Sequence, residues 1–255
     1  LGIILQIRGR SLSVNRSTFL QLIGIGFVVA FHWITFFHAI KISTISVALG
    51  CLASTTLFTS LLEPALVRRP LVWLEVVTGF LIMVGLYLIF QFEPDHIAGI
   101  ITALISAFLA GLFTVLNKVM IVKHRPLVIS FYEMGGGFIG ITLYMLFSGT
   151  FEAGLQLPVW SDWVFLLLLG VVCTAYAFAE SVKVMDVLSA YTVVLTINLE
   201  PIYGILLGVA FFGESELMSG GFYLGTLTIL AAVFLFPVVN RKFIKHKRAK
   251  NNSFV

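Results

Sequence analysis

Nine apolar segments, separated by short polar connections, make up nearly all of this sequence. A helix needs about 20 apolar residues to cross a bilayer core that is roughly 30 Å thick. The segment at residues 1–7 is too short for this and resembles the end of a truncated helix, whereas the other eight are long enough. The pattern therefore predicts membrane-spanning helices at residues 18–40, 45–66, 71–91, 97–122, 127–148, 161–182, 188–211 and 219–239.

The composition agrees with this prediction. Hydrophobic residues form 59% of the chain and charged residues only 11%. A soluble domain could not bury that much apolar surface, and no polar block is long enough to form a separate domain. We therefore predict an all-α, polytopic membrane helix bundle in the cell membrane.

The connections between the apolar segments alternate in charge. Short loops that are rich in Lys and Arg stay in the cytoplasm, so every second loop and the basic tail at residues 240–255 are predicted to be cytoplasmic. The basic connections carry Arg8, Arg10 and Arg16, then Arg68 and Arg69, then Lys123 and Arg125, then Lys183. The others carry Glu93 and Asp95, then Glu152 and Asp162, then Glu214 and Glu216, with Lys41 as their one basic residue.

A weak internal repeat relates residues 77–90 to residues 223–236, so that Gly79 matches Gly225 and Gly85 matches Ala231. The loops before these two segments are opposite in charge. Opposite charge is expected for two halves that share a fold but are inverted in the membrane. We expect residues 1–91 to be the remainder of a first repeat and residues 97–239 to be a complete second one.

Several short motifs resemble those of EamA-type members of the drug/metabolite transporter superfamily. They are Asn117-Lys118, residues 124–134 with the glycine run that follows, Leu199-Glu-Pro-Ile-Tyr203 ahead of Phe212-Gly-Glu214, and Leu62-Glu-Pro-Ala65 in the first half. The likeness covers essentially the whole chain. It implies two inverted five-helix repeats, ten helices in the intact protein, and import or export of small metabolites. If the resemblance holds, the opening helix and most of the second helix of that pattern are expected to be absent from this sequence.

Glu200 is the first candidate for a functional residue. Ionisable side chains inside a bilayer are costly and usually face an interior cavity, and Glu200 is predicted to lie near the midplane. Pro201 removes a backbone donor, so it could form a hinge beside the carboxyl group. The alternative is a neutral Glu200 that only bonds to a neighbouring helix.

Glu133 and Lys118 form a second candidate group on adjacent predicted helices, with Asn117 and the Tyr132 hydroxyl nearby. An ion pair between them could act as a gate or orient a charged substrate. Alternatively, Lys118 extends to the interface and Glu133 only packs.

Gly135 and Gly136 follow this group and are poor helix formers. Bending at these residues could open the cytoplasmic side, and under this hypothesis Gly136→Leu slows flux without preventing folding. The alternative is tight static packing of the glycines against a neighbouring helix.

Other polar residues carry weaker signals. His32 could carry protons, or could be a packing histidine. Tyr176 and Tyr203 are candidates for a pocket, whereas Cys51 and Cys173 are expected to be small apolar fillers. Ion pairs at the interface are expected where opposite charges lie near each other in sequence, namely Glu63 and Glu75 with Arg68 and Arg69, and Glu180 with Lys183.

The sequence favours a secondary active transporter that moves a small metabolite or drug-like compound by alternating access. It has no glycine-rich loop of the ATP-binding type, and its three Asp residues are isolated, which argues against ATP hydrolysis and metal-dependent chemistry. The alternative is a membrane-embedded enzyme that acts on a lipid or isoprenoid substrate. We expect no cofactor, metal or nucleic acid, and a small-molecule substrate and membrane lipid as partners; a homodimer is compatible with the sequence.

Overall fold

The computed structural model describes residues 12–150, 158–197 and 199–252. The predicted stub at residues 1–7, Arg8, Arg10 and Glu152 lie outside the described residues. Each of the eight predicted spans is helical. The helices are α1 (Arg16–Ile42), α2 (Ile45–Leu52), α3 (Thr55–Val67), α4 (Trp73–Phe92), α5 (Ile97–Ile121), α6 (Pro126–Phe147), α7 (Trp160–Leu167), α8 (Ala177–Val184), α9 (Ala190–Ile197), α10 (Glu200–Phe212) and α11 (Gly220–Asn252).

Three short helical segments of other types complete the described chain. A π-helical segment, Leu168–Tyr176, joins α7 to α8, and 3₁₀ turns lie at Pro94–His96 and Gly213–Glu216. The described residues contain no strand. The predicted all-α bundle is confirmed.

Six helical segments of the described chain are long and apolar enough to cross a membrane: Arg16–Ile42, Ile45–Val67, Pro94–Ile121, Pro126–Phe147, Trp160–Val184 and Ala190–Glu216. The other two predicted spans contain shorter apolar helices, Trp73–Ile89 and Gly220–Leu235. The chain is therefore a multi-pass membrane protein.

Local side chains explain where several helices begin and end. Asn15 accepts a hydrogen bond from the Thr18 N–H (2.8 Å) and so caps α1, and Thr44 caps α2 through the Val47 N–H (3.1 Å). Pro126 lies in the first turn of α6, where its missing N–H costs nothing.

The spans at residues 45–67 and 190–212 are built alike. Each consists of an eight-residue helix followed by a thirteen-residue helix. Helix α2 packs against α10, and α9 packs against α3, so each short helix lies on the long helix of the other pair. This reciprocal packing ties the first half (residues 16–92) to the second half (residues 97–239).

The connections lie at two ends of the bundle. At the acidic end, formed by residues 43–44, 93–96 and 213–219, Glu216 contacts the start of α2 and Glu93 accepts a hydrogen bond from the Ser219 N–H (2.8 Å). At the basic end, formed by residues 68–72, 122–125 and 185–189, Lys118 donates to the Met185 carbonyl. Loops of like charge therefore gather at the same end.

Glycines allow the closest helix crossings. A Cβ atom on Gly136 of α6 would lie 2.5 Å from the Ile23 carbonyl oxygen of α1 and 3.1 Å from the Gly26 Cα. A Cβ atom on Gly85 of α4 would lie 2.7 Å from the Gly225 carbonyl oxygen of α11. The two helices that the weak internal repeat relates are thus packed directly on each other, backbone against backbone.

The glycine run of α6 lies within a continuous α-helix. The expectation that Gly136→Leu does not prevent folding conflicts with this geometry, because the Leu Cβ would overlap the backbone of α1. Bending at Gly135 and Gly136 during transport stays a prediction.

Gly136→Ala and Gly135→Ala form a matched test of this crossing. Gly136→Ala is expected to lower the free energy of unfolding by about 1–3 kcal/mol, because α1 and α6 must move apart. A Cβ atom on Gly135 would have no neighbouring atom within 4 Å, so Gly135→Ala should leave stability unchanged or raise it by up to about 1 kcal/mol. Unfolding of the purified variants in detergent measures both. Equal effects would contradict the crossing.

Candidate functional site

A cavity of about 620 Å³ lies where three helical segments depart from regular α-helix. Leu52 and Thr55 line it on either side of the break between α2 and α3. Ile197 and Glu200 line it at the equivalent positions of α9 and α10. The π-helical segment contributes further lining residues on another side.

Most of the cavity wall is apolar, with a few polar groups among the rings. The aromatic members are Trp33, Phe36, Phe37, Phe113 and Phe178, and the polar side chains are His32, Thr55, Thr114, Thr174, Ser181 and Glu200. This combination is typical of sites that bind small organic molecules, in which apolar walls supply affinity and a few polar groups fix orientation.

At the break between α2 and α3, side-chain hydroxyl groups donate hydrogen bonds to carbonyl groups at the end of α2. The Ser54 hydroxyl donates to the Cys51 carbonyl (2.7 Å), and the Thr55 hydroxyl donates to the Leu52 carbonyl (2.7 Å). Without water in a bilayer, each such group needs an internal partner or an aqueous cavity. Of these two side chains, Thr55 also lines the cavity, whereas Ser54 is buried.

Glu200 begins α10 and is the one acidic residue among the described residues that line the cavity. Its place in the cavity wall is the position expected of a functional carboxyl group, and its role in binding or coupling stays a prediction. Pro201 lies in the first turn, where proline is compatible with a helix start. Its role as a hinge stays a prediction.

His32 faces the same cavity from α1. Its Nδ1 atom lies 2.8 Å from the Ser106 hydroxyl oxygen and 3.0 Å from the Ser106 carbonyl oxygen. The imidazole stacks on Phe36 and is tilted against Phe113. His32 is thus a well-packed histidine and a wall residue at once.

Glu133 and Asn117 lie together, away from the cavity lining. Both side chains are fully buried, and the Asn117 side chain lies next to the Glu133 carboxyl group. Neither carboxyl oxygen of Glu133 has a hydrogen bond of acceptable geometry within the described chain, and the same holds for the Ser130 hydroxyl one turn earlier.

Of the two alternatives for Lys118 and Glu133, the ion pair is not formed in the described structure. The Lys118 amine donates instead to the Met185 carbonyl oxygen at the basic end, and the salt bridges among the described residues involve other partners. Successive residues of a helix point about 100° apart, so Asn117 faces Glu133 and Lys118 faces the loop after α8.

The candidate tyrosines are not brought to the cavity. The Tyr132 hydroxyl donates to the Leu12 carbonyl oxygen (2.7 Å). Tyr176 and Tyr203 are 63% and 62% exposed on outward helix faces and do not line the cavity. Their place in a pocket stays a prediction that this arrangement does not favour.

Most of the cavity lining was not indicated by the sequence, and Cys173 and Thr55 are two instructive cases. Cys173 is exposed and lines the cavity, so its interpretation as a filler is wrong, whereas the filler role of the buried Cys51 is confirmed. Thr55 lies at the position of α3 that Glu200 holds in α10. A comparison of the two broken spans could have found it, but Cys173 depends on the π-helical segment, which no sequence signal indicated.

The expected ion pairs are confirmed for Arg69 and Lys183, whereas Arg68 is exposed and forms no salt bridge within the described residues. Arg69 lies 3.2 Å from Glu63 and 2.9 Å from Glu75, and Lys183 lies 2.8 Å from Glu180. Burial by itself lowers the pKa of the Arg69 guanidinium, but the hydrogen bonds and negative charges of Glu75 and Glu63 outweigh it and raise that pKa. Arg69 therefore stays charged and holds two carboxylates together.

Comparisons with known proteins find similarity to transporters. Residues 97–238 match the family model described as the EamA-like transporter family. A protein from Archaeoglobus fulgidus, named an uncharacterized transporter, is 28% identical over 153 residues, which are 60% of this chain and 53% of that protein. The chain thus spans about half the length of this curated relative. One solved crystal structure superimposes with a TM-score of 0.68 at 17% identity, over 94% of this chain and 83% of the other, and supports the fold alone.

Thiol labelling tests the cavity directly. Cys173 is exposed and Cys51 is buried, so a maleimide should react with Cys173 in the folded protein in detergent, and Cys173→Ser should remove most of the reaction. Cys51→Ser should leave the reaction unchanged. Labelling that persists in Cys173→Ser would contradict the burial of Cys51, and a wild type that does not react would contradict the exposure of Cys173 on the π-helical segment.

Removal of the Arg69 charge tests the ion-pair cluster. Arg69→Gln leaves Glu63 and Glu75 close together without their cation, and the free energy of unfolding should fall by about 1–3 kcal/mol. Arg68 is exposed, so Arg68→Gln should change it by less than about 0.5 kcal/mol. Unfolding in detergent compares the two variants, and an equal response would show that the cluster contributes nothing specific.

Proposed function

This chain belongs to the EamA-like transporter family, and on that basis we propose that it is a secondary active transporter. In this proposal it moves a small metabolite or drug-like compound across the cytoplasmic membrane by alternating access. The observation that carries the proposal is the cavity at the broken helices, with Glu200 as its acidic group.

The cavity walls indicate the class of substrate. A volume of about 620 Å³ suits a small organic molecule. Aromatic rings on several sides favour an apolar or planar body, and they also attract a cationic group. Glu200 would accept hydrogen bonds from an amine or another donor at one end of the compound. We therefore expect an amphipathic compound with a donor or cationic group.

The construction of the walls fits alternating access. Both halves contribute to the cavity, and each contributes a span that is interrupted there. Interrupted helices at a binding site between inverted repeats are a common plan among secondary transporters. Rocking of the two halves would expose Glu200 and the aromatic walls first to one side of the membrane and then to the other.

Transport is favoured over a membrane enzyme because the matching family and the curated relative are both described as transporters. The basic end is proposed to face the cytoplasm, together with the basic tail, because positive loops are retained there. The partners are then the small-molecule substrate and the surrounding lipid.

The first experiment compares metabolites inside and outside cells that express wild type, Glu200→Gln or Glu214→Gln at matched membrane abundance. Compounds that redistribute with wild type should redistribute much less with Glu200→Gln, because the cavity has lost its charge. Glu214 is exposed at the acidic end and lies outside the cavity lining, so Glu214→Gln should behave as wild type.

Two results would count against the proposal. If no compound redistributes with wild type in a broad metabolite panel, the transport assignment fails. If Glu200→Gln transports normally, Glu200 is not a substrate contact.

A further inference from the structure

Two buried carboxylates bind backbone N–H groups at opposite ends of the bundle. Glu63, in α3, accepts hydrogen bonds from the Ala190 N–H (3.2 Å) and the Tyr191 N–H (3.1 Å). Glu216, in the 3₁₀ turn after α10, accepts them from the Ile45 N–H (3.0 Å) and the Ser46 N–H (2.8 Å). Each carboxylate therefore caps the first turn of a short helix.

Both caps connect the two halves of the molecule. Glu63 belongs to the first half and caps α9 of the second half at the basic end. Glu216 belongs to the second half and caps α2 of the first half at the acidic end. The capped helices, α2 and α9, are the short members of the two broken spans, and their other ends reach the cavity at Leu52 and Ile197.

The two carboxylates lie at equivalent places beside the long helices α3 and α10, but they come from different positions in the chain. Gly208 has the position in α10 that Glu63 has in α3. A Cβ atom on Gly208 would lie 3.7 Å from the Glu216 Cγ and Oε2 atoms. The absence of a side chain at Gly208 thus leaves room for the Glu216 carboxylate beside the helix. The same reciprocal cap forms in both halves although the glutamates do not correspond in sequence.

We propose that Glu63 and Glu216 are two latches that hold the basic end and the acidic end of the transporter closed, and that they open in turn. This inference rests on the alternating-access transport proposed above. Opening of one end requires the short helix there to leave the opposite half, and the latch is the polar contact that must break. The other latch keeps the second end closed meanwhile.

The physical basis is charge at a helix start. The first N–H groups of a helix have no partner within it, and the helix dipole places partial positive charge there. A buried carboxylate that accepts two of these N–H groups forms charge-assisted hydrogen bonds. Neutralisation of the carboxylate weakens both bonds but keeps the shape of the side chain, so Glu→Gln should favour the open form at that end alone.

Arg69 makes the latch at the basic end different in composition. It lies 3.2 Å from the Glu63 carboxylate and also binds Glu75, so a cation reinforces that cap. No salt bridge to Glu216 is found in the described residues. The acidic-end latch consists of its hydrogen bonds to α2, including one from the Ser46 hydroxyl to the Glu216 carbonyl (3.2 Å).

Cys173 provides a natural reporter, because it lines the cavity while Cys51 is buried. A membrane-impermeant maleimide is applied from one side in intact cells and from the other side in inverted vesicles. Labelling rates of Cys173 are compared for wild type, Glu63→Gln and Glu216→Gln, with Cys173→Ser as the blank. Each Gln variant should raise the rate from one side by about fivefold or more, and the two variants should do so from opposite sides.

Matched controls remove carboxylates that are not caps. Glu180→Gln acts at the basic end, where Glu180 pairs only with Lys183 of the same helix within the described structure, and Glu214→Gln acts at the acidic end. Neither should change labelling from either side. Where a Gln variant does not accumulate in the membrane, the corresponding Asp variant replaces it. The Asp side chain keeps the charge but is shorter, so it should weaken the same hydrogen bonds and change labelling from the same side.

The outcomes separate the latches from the transport function. If neither Gln variant changes labelling, or both raise it from both sides alike, the latches are overturned, whatever the metabolite experiment shows. If the side-specific pattern appears, the latches stand. The labelling of Cys173 needs no substrate. A failure to find a transported compound would therefore overturn the proposed function, but it would leave the labelling result for the latches unchanged.

Discussion

The need to satisfy every backbone polar group inside a bilayer governs this structure. A continuous helix meets that need by itself, but this chain interrupts two of its spans. At one break, the Ser54 and Thr55 hydroxyl groups donate to carbonyl groups at the end of α2. At the starts of the two short helices, Glu63 and Glu216 accept the unpaired N–H groups. The cavity lies at the interruptions, and the caps tie the opposite end of each short helix to the other half.

Close backbone contact is the second condition for this arrangement. Apolar surface gives little driving force between helices in lipid, so packing and small residues must supply the association. Gly136 brings α6 against α1, and Gly85 and Gly225 bring α4 against α11. Gly208 has a further role, since it makes space for the carboxylate of Glu216. Glycine thus serves both helix association and the placement of a charge.

Polar residues in this membrane protein divide into three environments. Glu200 and His32 face a cavity, Glu63 and Glu216 are buried against helix starts, and Glu133 is buried beside Asn117 away from the cavity lining. In the sequence, Glu133 and Lys118 lie at similar depths in the membrane on adjacent helices, which makes an ion pair conceivable. The direction in which each side chain points from its helix excludes that pair, because Lys118 binds the Met185 carbonyl instead.

The sequence by itself determined the helical segments, the grouping of loops by charge and the family, because segment length, net loop charge and short motifs can be recognised without knowledge of neighbours. It also indicated Glu200, since a carboxyl before a proline in an apolar segment is conspicuous. Only the tertiary structure decided that Cys173 and Thr55 join the cavity, that Tyr176 and Tyr203 face outward, and that Glu63 and Glu216 reach across to the other half. The physical reason is that helical periodicity fixes angles between residues on one helix, whereas the direction that faces a cavity, lipid or a neighbour depends on contacts between segments far apart in the chain.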